Sequence, residues 1–210
     1  MVAAPPPPAP VVKLDVPRYA SDRSLGRALR VRFGGGALRY TLQVRRNTNV
    51  STRWRTVVRS TTRTRAVFVG ELGESYLFRL RGRDASGRLS GFDYDVGTVP
   101  LDDPFPFGRR IVRRAAWGRR LVRLTGPSAV TVMGSRLALI ARRAPRGAVL
   151  RVGVDGRGER VSLRGRNRFR KVVFRSILMR PGLHRFRVEA LTGGFADLDA
   201  LAVETGPTAP

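Results

Sequence analysis

Hydrophobic and polar residues alternate through most of the chain. The clearest run lies between Glu71 and Asp84, where a turn at Gly73 leads into Tyr76, Phe78, Leu80 and Gly82 on one side and Leu77, Arg79, Arg81 and Arg83 on the other. A repeat of two residues is that of a β-strand with one buried face, here backed by a row of arginines. The same pattern predicts strands over 11–16, around Leu29, Val31 and Phe33, around Tyr40, Leu42 and Val44, and over 54–58, 65–69 and 88–99. The segment VPLDDPFPFG, 99–108, interrupts it with prolines and aspartates. The pattern then resumes over 113–117, 129–133, 136–142, 148–155, 159–163, 169–174, 183–191 and 198–204, with turn signals at DGRG, 155–158, and RPG, 180–182. No helical period of useful length competes. Short strands separated by turn residues predict an all-β protein built as two tandem β-sandwiches. The expected layout is a proline-rich linker at 1–10, a first sandwich at 11–101, a linker at 102–108, a second sandwich at 109–206 and a tail at 207–210. The GGG at 34–36 lies between two predicted strands, with no helix behind it to hold a phosphate, and reads as a hairpin turn.

Charge changes this picture more than any other feature of composition. The 210 residues carry 41 basic and 15 acidic side chains, a net charge of +26, and every basic residue except Lys13 and Lys171 is an arginine. Residues 1–103 hold 18 basic and 9 acidic residues and residues 104–210 hold 23 and 6, so the second half is the stronger anion attractor. A field of this size draws in nucleic acid, acidic polysaccharide or anionic lipid surfaces and weakens with salt. An arginine-rich codon bias yields the same composition without any ligand.

Other chemistries are narrowed by what the chain lacks. Without cysteine there is no disulfide, thiolate zinc site or cysteine nucleophile. No apolar run reaches the 18 residues of a spanning helix. The opening MVAAPPPPAP has neither the basic nor the apolar region of a signal peptide and reads as a polyproline spacer. His184, the single histidine, alternates with Arg185 on the side of Phe186 and Val188, which predicts a buried structural role and no catalytic triad. Paired carboxylates for glycoside hydrolysis would come from a small set in the second half. Within it Asp155 lies in a hairpin turn, where it is expected to cap backbone amides. Asp197 and Asp199 share a face and are weak calcium candidates. No catalytic residue and no cofactor is assigned.

Several of these residues carry a family resemblance. Tyr40, Trp54, and the set Leu72, Gly73, Tyr76, Phe78, Leu80 and Arg83-Asp84-Ala85-Ser86-Gly87 make the first half resemble a fibronectin type III domain, with its tyrosine corner, F strand and F–G loop. Residues 81–84 read Arg-Gly-Arg-Asp, so the integrin-binding Arg-Gly-Asp triplet of some members is absent. The segments SRLALIA, 135–141, LRVGVDG, 150–156, PGLHRFRV, 181–188, and ADLDALA, 196–202, make the second half similar to galactose-binding-like, carbohydrate-binding jelly rolls. The pairing resembles the ends of exported actinobacterial proteins.

The resemblance implies that the C and F strands are neighbours, which would set Arg39 and Arg45 beside Arg79, Arg81 and Arg83 on one outer face. A second dense run holds Arg164, Arg166 and Arg168, with Arg170 and Lys171 beyond, and further arginines between 109 and 123 crowd the start of the second sandwich. Guanidinium forks grip phosphate, sulfate or carboxylate; solvated arginines also keep strand edges from pairing. Trp117, next to Gly118, is the candidate platform for a stacked sugar ring. The expected function is a non-catalytic, extracellular or cell-surface accessory or adhesion module that binds carbohydrate or an anionic polymer. The alternative is a nucleic-acid-binding protein that uses its arginine surface.

Overall fold

The computed structural model describes residues 7–20, 27–48, 53–102 and 104–205. Residues 1–6 of the predicted proline linker and the predicted tail, 207–210, lie outside them. The protein is all-β. The first seven strands are β1 (Val12–Asp15), β2 (Ala28–Gly35), β3 (Arg39–Arg46), β4 (Arg55–Thr61), β5 (Arg65–Val69), β6 (Ser75–Arg83) and β7 (Asp93–Thr98). They form two antiparallel sheets in the orders β1-β2-β5 and β4-β3-β6-β7. Alternation places Leu29, Val31 and Phe33 of one sheet against Leu42, Val44, Phe78 and Leu80 of the other, all buried in one core. Since β2 and β3 belong to different sheets, the glycines at 34–36 are not the predicted hairpin turn: Gly34 and Gly35 end β2 opposite Lys13 and Val12 of β1, and the crossover between sheets starts at Gly36. Gly35 sits at φ +122, and a Cβ there would lie 2.2 Å from the Val11 carbonyl oxygen.

The tyrosine corner is present. The Tyr76 hydroxyl accepts the Glu71 N–H at 2.8 Å while the ring packs edge-on against Phe68, centroids 4.7 Å apart. A Cβ on Gly70 would sit 2.5 Å from that ring, so glycine is required where the chain turns beneath it. Tyr76→Phe removes only the hydroxyl and is expected to lower the unfolding free energy by about 1 kcal/mol, read from urea denaturation.

The remaining strands are β8 (Leu101–Asp102), β9 (Gly108–Val112), β10 (Arg120–Leu124), β11 (Ser128–Gly134), β12 (Arg136–Arg143), β13 (Val149–Val154), β14 (Arg157–Ser162), β15 (Arg168–Arg175), β16 (Gly182–Ala190) and β17 (Asp197–Glu204). From β10 to β17 they divide into the sheets β15-β12-β17-β10 and β11-β16-β13-β14, the order of an eight-stranded jelly roll, with β9 extending the first sheet and β8 pairing with β17. The DGRG signal is realised as an Asp155–Gly156 turn with φ +50 and +81, the two-residue hairpin geometry that Asp-Gly favours. The strand predicted over 113–117 is not formed. Trp117–Arg119 is a single 3-10 turn with Gly118 and Arg119 at φ +56 and +65, and the strands β9 and β10 flank it instead. A side chain at Gly118 would strike the Asp102 carboxylate, with a Cβ 2.2 Å from Oδ2.

β12 and β17 are buried on both faces, which explains why their sequences run apolar without interruption. Leu137, Leu139, Leu198, Leu201 and Val203 fill the jelly-roll core. Ala138, Ile140, Ala200 and Ala202 join Trp117 in the core of the first sandwich. Alanines at three of these positions let the first sandwich approach the sheet closely. Polar contacts close the seam: the Arg18 guanidinium donates to both Glu204 oxygens at 2.9 Å, and the Tyr19 hydroxyl donates to the same carboxylate at 3.1 Å. Thr205 donates through its hydroxyl to the Asn47 carbonyl at 3.0 Å. The two sandwiches thus meet in a packed interface. Among the described residues, no helix is long and apolar enough to cross a membrane.

Candidate anion-binding surfaces

The register of β3 and β6 opposes Arg39 to Arg83, Thr41 to Arg81 and Gln43 to Arg79, with Arg45 two residues beyond Gln43. The predicted arginines therefore share one face of the sheet. They are not an even, solvated row. Trp54 precedes β4 and Phe92 precedes β7, and their rings interleave with the guanidinium groups. The Arg45 guanidinium lies 4.8 Å and that of Arg79 4.1 Å from the Trp54 ring centre; Arg79 and Arg81 lie 4.4 and 5.0 Å from that of Phe92. The order along this stack is Arg45, Trp54, Arg79, Phe92, Arg81. Arg79 Nε donates to Gln43 Oε1 at 2.8 Å and Arg81 Nε to the Ser90 carbonyl at 3.1 Å. Arg39 and Arg83 stand outside the stack and are exposed; Arg39 donates to the Ser60 carbonyl at 3.2 Å.

In the jelly roll, the Arg164–Arg168 run folds over the end of β12. The Gly165 N–H bonds the Ala144 carbonyl at 3.1 Å and Arg164 bridges Ala144, which bends 164–167 back toward the strand. A bulge between Ala141 and Arg143 brings Arg143 directly opposite Arg168. The result is an open cleft of 370 Å³ lined by Arg143, Gly165, Arg166, Arg168, Lys171 and Val172. Two of the three predicted arginines line it; Arg164 does not. Four cations converge with no carboxylate among the lining residues. Neighbouring Arg142 is neutralised by Asp197 and bonded to Asn167, whereas no ion pair among the described residues involves Arg143, Arg166, Arg168 or Lys171. Like charges held face to face repel each other, so this arrangement favours a bound anion. Arg143 lies far from the Arg164–Arg168 run in the sequence and joins it only through the β12–β15 pairing.

The sugar-stacking platform is overturned. Trp117 is 1% exposed and packs inside the junction between the sandwiches, so neither face is offered to a ring. Phe174 and Phe186 are buried, and Phe169 and Phe195 each carry a guanidinium over the ring, Arg142 at 5.0 Å and Arg123 at 4.1 Å. The calcium pair is likewise corrected. Asp197 and Asp199 are each 1% exposed, and their oxygens are engaged. Asp197 accepts Arg123 Nε and NH2 at 2.6 and 3.0 Å and Arg142 at 3.2 Å. Asp199 accepts the Trp117 and Arg170 backbone N–H groups at 2.6 and 3.1 Å. Among the described residues no group of three or more metal-ligating side chains converges.

His184 is bonded at both ring nitrogens, to Asp155 Oδ2 at 2.6 Å and to the Arg180 carbonyl at 2.9 Å. Two acceptors call for two ring protons, and the Asp155 contact raises the imidazole pKa above its ordinary value while His184 lowers that of Asp155. Asp155 also accepts the Arg185 N–H at 2.8 Å, so it ties its turn to β16. These two residues border a cleft of 550 Å³ in which Ser176, the one hydroxyl side chain among the described lining residues, donates to the Ile177 carbonyl and accepts the Leu137 N–H. The His184–Asp155 contact holds the hairpin in place.

No protein-family model and no curated protein matches the chain. Among solved structures, an α-L-rhamnosidase from Dictyoglumus thermophilum is 12% identical over 96% of this chain with a TM-score of 0.40. The chain spans 28% of that enzyme's length. The FN1–FN3 domains of chicken CNTN1 are 14% identical over 96% of this chain and 69% of theirs, with a TM-score of 0.31. The SusE-like protein BT2857 is 10% identical over 91% of this chain and 96% of its own, with a TM-score of 0.26.

Proposed function

We propose that the protein is a non-catalytic binding module for an anionic polysaccharide or similar cell-surface polymer, acting outside the cell, with a fibronectin type III sandwich packed on a carbohydrate-binding-type jelly roll. The observation that carries this is the cleft between β12 and β15, where Arg143, Arg166, Arg168 and Lys171 meet without a counter-charge among the lining residues. Its volume suits a sulfate, phosphate or uronate group of a chain that runs on across the surface. The aromatic inventory supports recognition by charge over recognition by stacking, since Trp117, Phe174 and Phe186 are buried and Phe169 and Phe195 carry a guanidinium, while Phe107, 60% exposed, stands apart from the cleft lining.

Substituting Arg166, Arg168 and Lys171 together with serine tests this. On immobilised heparin the triple variant is expected to elute at lower salt. The slope of log affinity against log salt should shrink by about 2 to 3, as each lost contact releases fewer counterions. Co-elution with the parent protein would refute the cleft as the site. Tighter binding of duplex DNA than of heparin at about 150 mM salt would favour a nucleic-acid role instead.

A further inference from the structure

We infer that the stack Arg45–Trp54–Arg79–Phe92–Arg81 is a second anion-binding face, which presents guanidinium edges in a row to an extended chain of sulfate or carboxylate groups. This deepens the proposed function and rests on that reading of the ligand, but the residues belong to the other sandwich and the geometry is independent of the cleft.

A free arginine on a sheet surface loses rotamer entropy when a ligand fixes it. Here that ordering precedes binding. Arg79 is held between Trp54 and Phe92 at 4.1 and 4.4 Å and tied through Nε to Gln43; Arg81 is held on Phe92 and tied through Nε to Ser90. What the protein leaves unused are the terminal nitrogens. Among the described residues, the Nη atoms of Arg79 and Arg81 and the whole Arg45 guanidinium make no hydrogen bond or ion pair. Arg79 and Arg81, two apart on one strand, repeat about every 6.6 to 6.8 Å. Both acids of β7 are occupied elsewhere: the Asp93 carboxylate accepts the Leu14 N–H at 2.6 Å and that of Asp95 the Val16 N–H at 2.7 Å, on the side of β1. At the Trp54 end of the stack, Arg45 also lines a cleft of 210 Å³ together with Arg46, Arg53, Arg55 and Glu71; Glu71 pairs with Arg46, and Arg53 and Arg55 carry the excess positive charge past the last ring.

The same geometry argues against nucleic acid as the occupant. Two guanidiniums lie within 4.8 Å of the Trp54 centre and two within 5.0 Å of that of Phe92. Both rings are thus already engaged by cations, and a base would have to displace them to stack as it does on single-strand binders. The surface reads anionic groups alone.

Variants that keep the charge provide the test. Arg79→Lys preserves net charge but removes the planar, stacked fork, and Trp54→Ala preserves every cation but removes the ring that orders two of them. Both are expected to bind heparin about threefold to tenfold more weakly at fixed salt, with an unchanged circular dichroism spectrum. Combined with the Arg166, Arg168 and Lys171 substitutions, the losses should multiply. If Trp54→Ala unfolds the sandwich, Arg79→Lys alone decides. Wild-type heparin affinity in a folded Arg79→Lys protein overturns the inference, and the cleft variant then shows separately whether the proposed function stands. Preference for a duplex DNA oligonucleotide over heparin at equal salt overturns both.

Discussion

Asp197→Ala is expected to lower the unfolding free energy by about 3 kcal/mol and the melting temperature by roughly 6 to 12 °C. The carboxylate is 1% exposed and receives a two-pronged contact from Arg123 and a third from Arg142. Removing it leaves two guanidinium groups facing an apolar gap, and each remains fixed by an aromatic neighbour, Arg123 by Phe195 and Arg142 by Phe169. Uncompensated charge of this kind costs more than the intact pair contributes. The arginine side chains keep 30% and 18% of their surface in water, which holds the loss at the lower end of the range for buried pairs. A thermal scan by circular dichroism measures it, and a shift under 2 °C would contradict the assignment. The same scan settles the ion question: added calcium chloride should move neither protein, because the oxygens a hard cation would take already hold guanidinium protons.

The strands were legible in the sequence wherever one face is wet. β6 announces itself because Arg79, Arg81 and Arg83 alternate with Phe78, Leu80 and Gly82, and Tyr76 five residues after Glu71 carries the corner that fixes the crossover. β12 and β17 were recognisable as strands but not as the seam between sandwiches. Doubly buried strands lose alternation, and nothing local tells Ala138 and Ala200 which neighbour they touch. Trp117 misled for a related reason. Beside Gly118 it looks like an exposed strand end, yet Gly118 is there to turn the chain past Asp102, and the turn drives the ring inward.

The candidate sites divide in the same way. The fibronectin resemblance implied that β3 and β6 are neighbours, and alternation within each then put their arginines on one face. It did not supply the rings between them, because Trp54 and Phe92 come from segments outside those two strands and meet only in the folded sheet. The cleft depends on a bulge and on a loop bent over β12, features set by tertiary pairing; Arg166, Arg168 and Lys171 belong to the basic run legible in the sequence, while Arg143, on another strand, was not linked to it.

Stability is expected to fall by about 3 kcal/mol between pH 5 and pH 8 relative to an Asp199→Asn variant. Burial raises the Asp199 pKa from 3.8 to about 7, against the pull of two backbone N–H donors and with a further upward push from Asp102. A folded carboxyl with a raised pKa binds more protons than the unfolded chain between the two values. Its contribution is therefore complete below about pH 4, is lost as pH rises through about 7, and stays constant beyond. The substituted amide does not titrate, so the difference between the two proteins isolates this slope. The His184 imidazolium, whose pKa is also raised, declines in the same direction but does so in both proteins and cancels. At pH 5 the parent should be the more stable. The asparagine has one oxygen for the Trp117 and Arg170 N–H groups and turns its own amide donors toward one of them. Urea midpoints at four pH values from 5 to 8 measure the difference. Parallel curves would mean that Asp199 is ionised throughout. Convergence toward pH 8 would show a buried acid, wedged where Trp117 enters the first sandwich, shedding its proton near neutrality and loosening the seam between the two sandwiches.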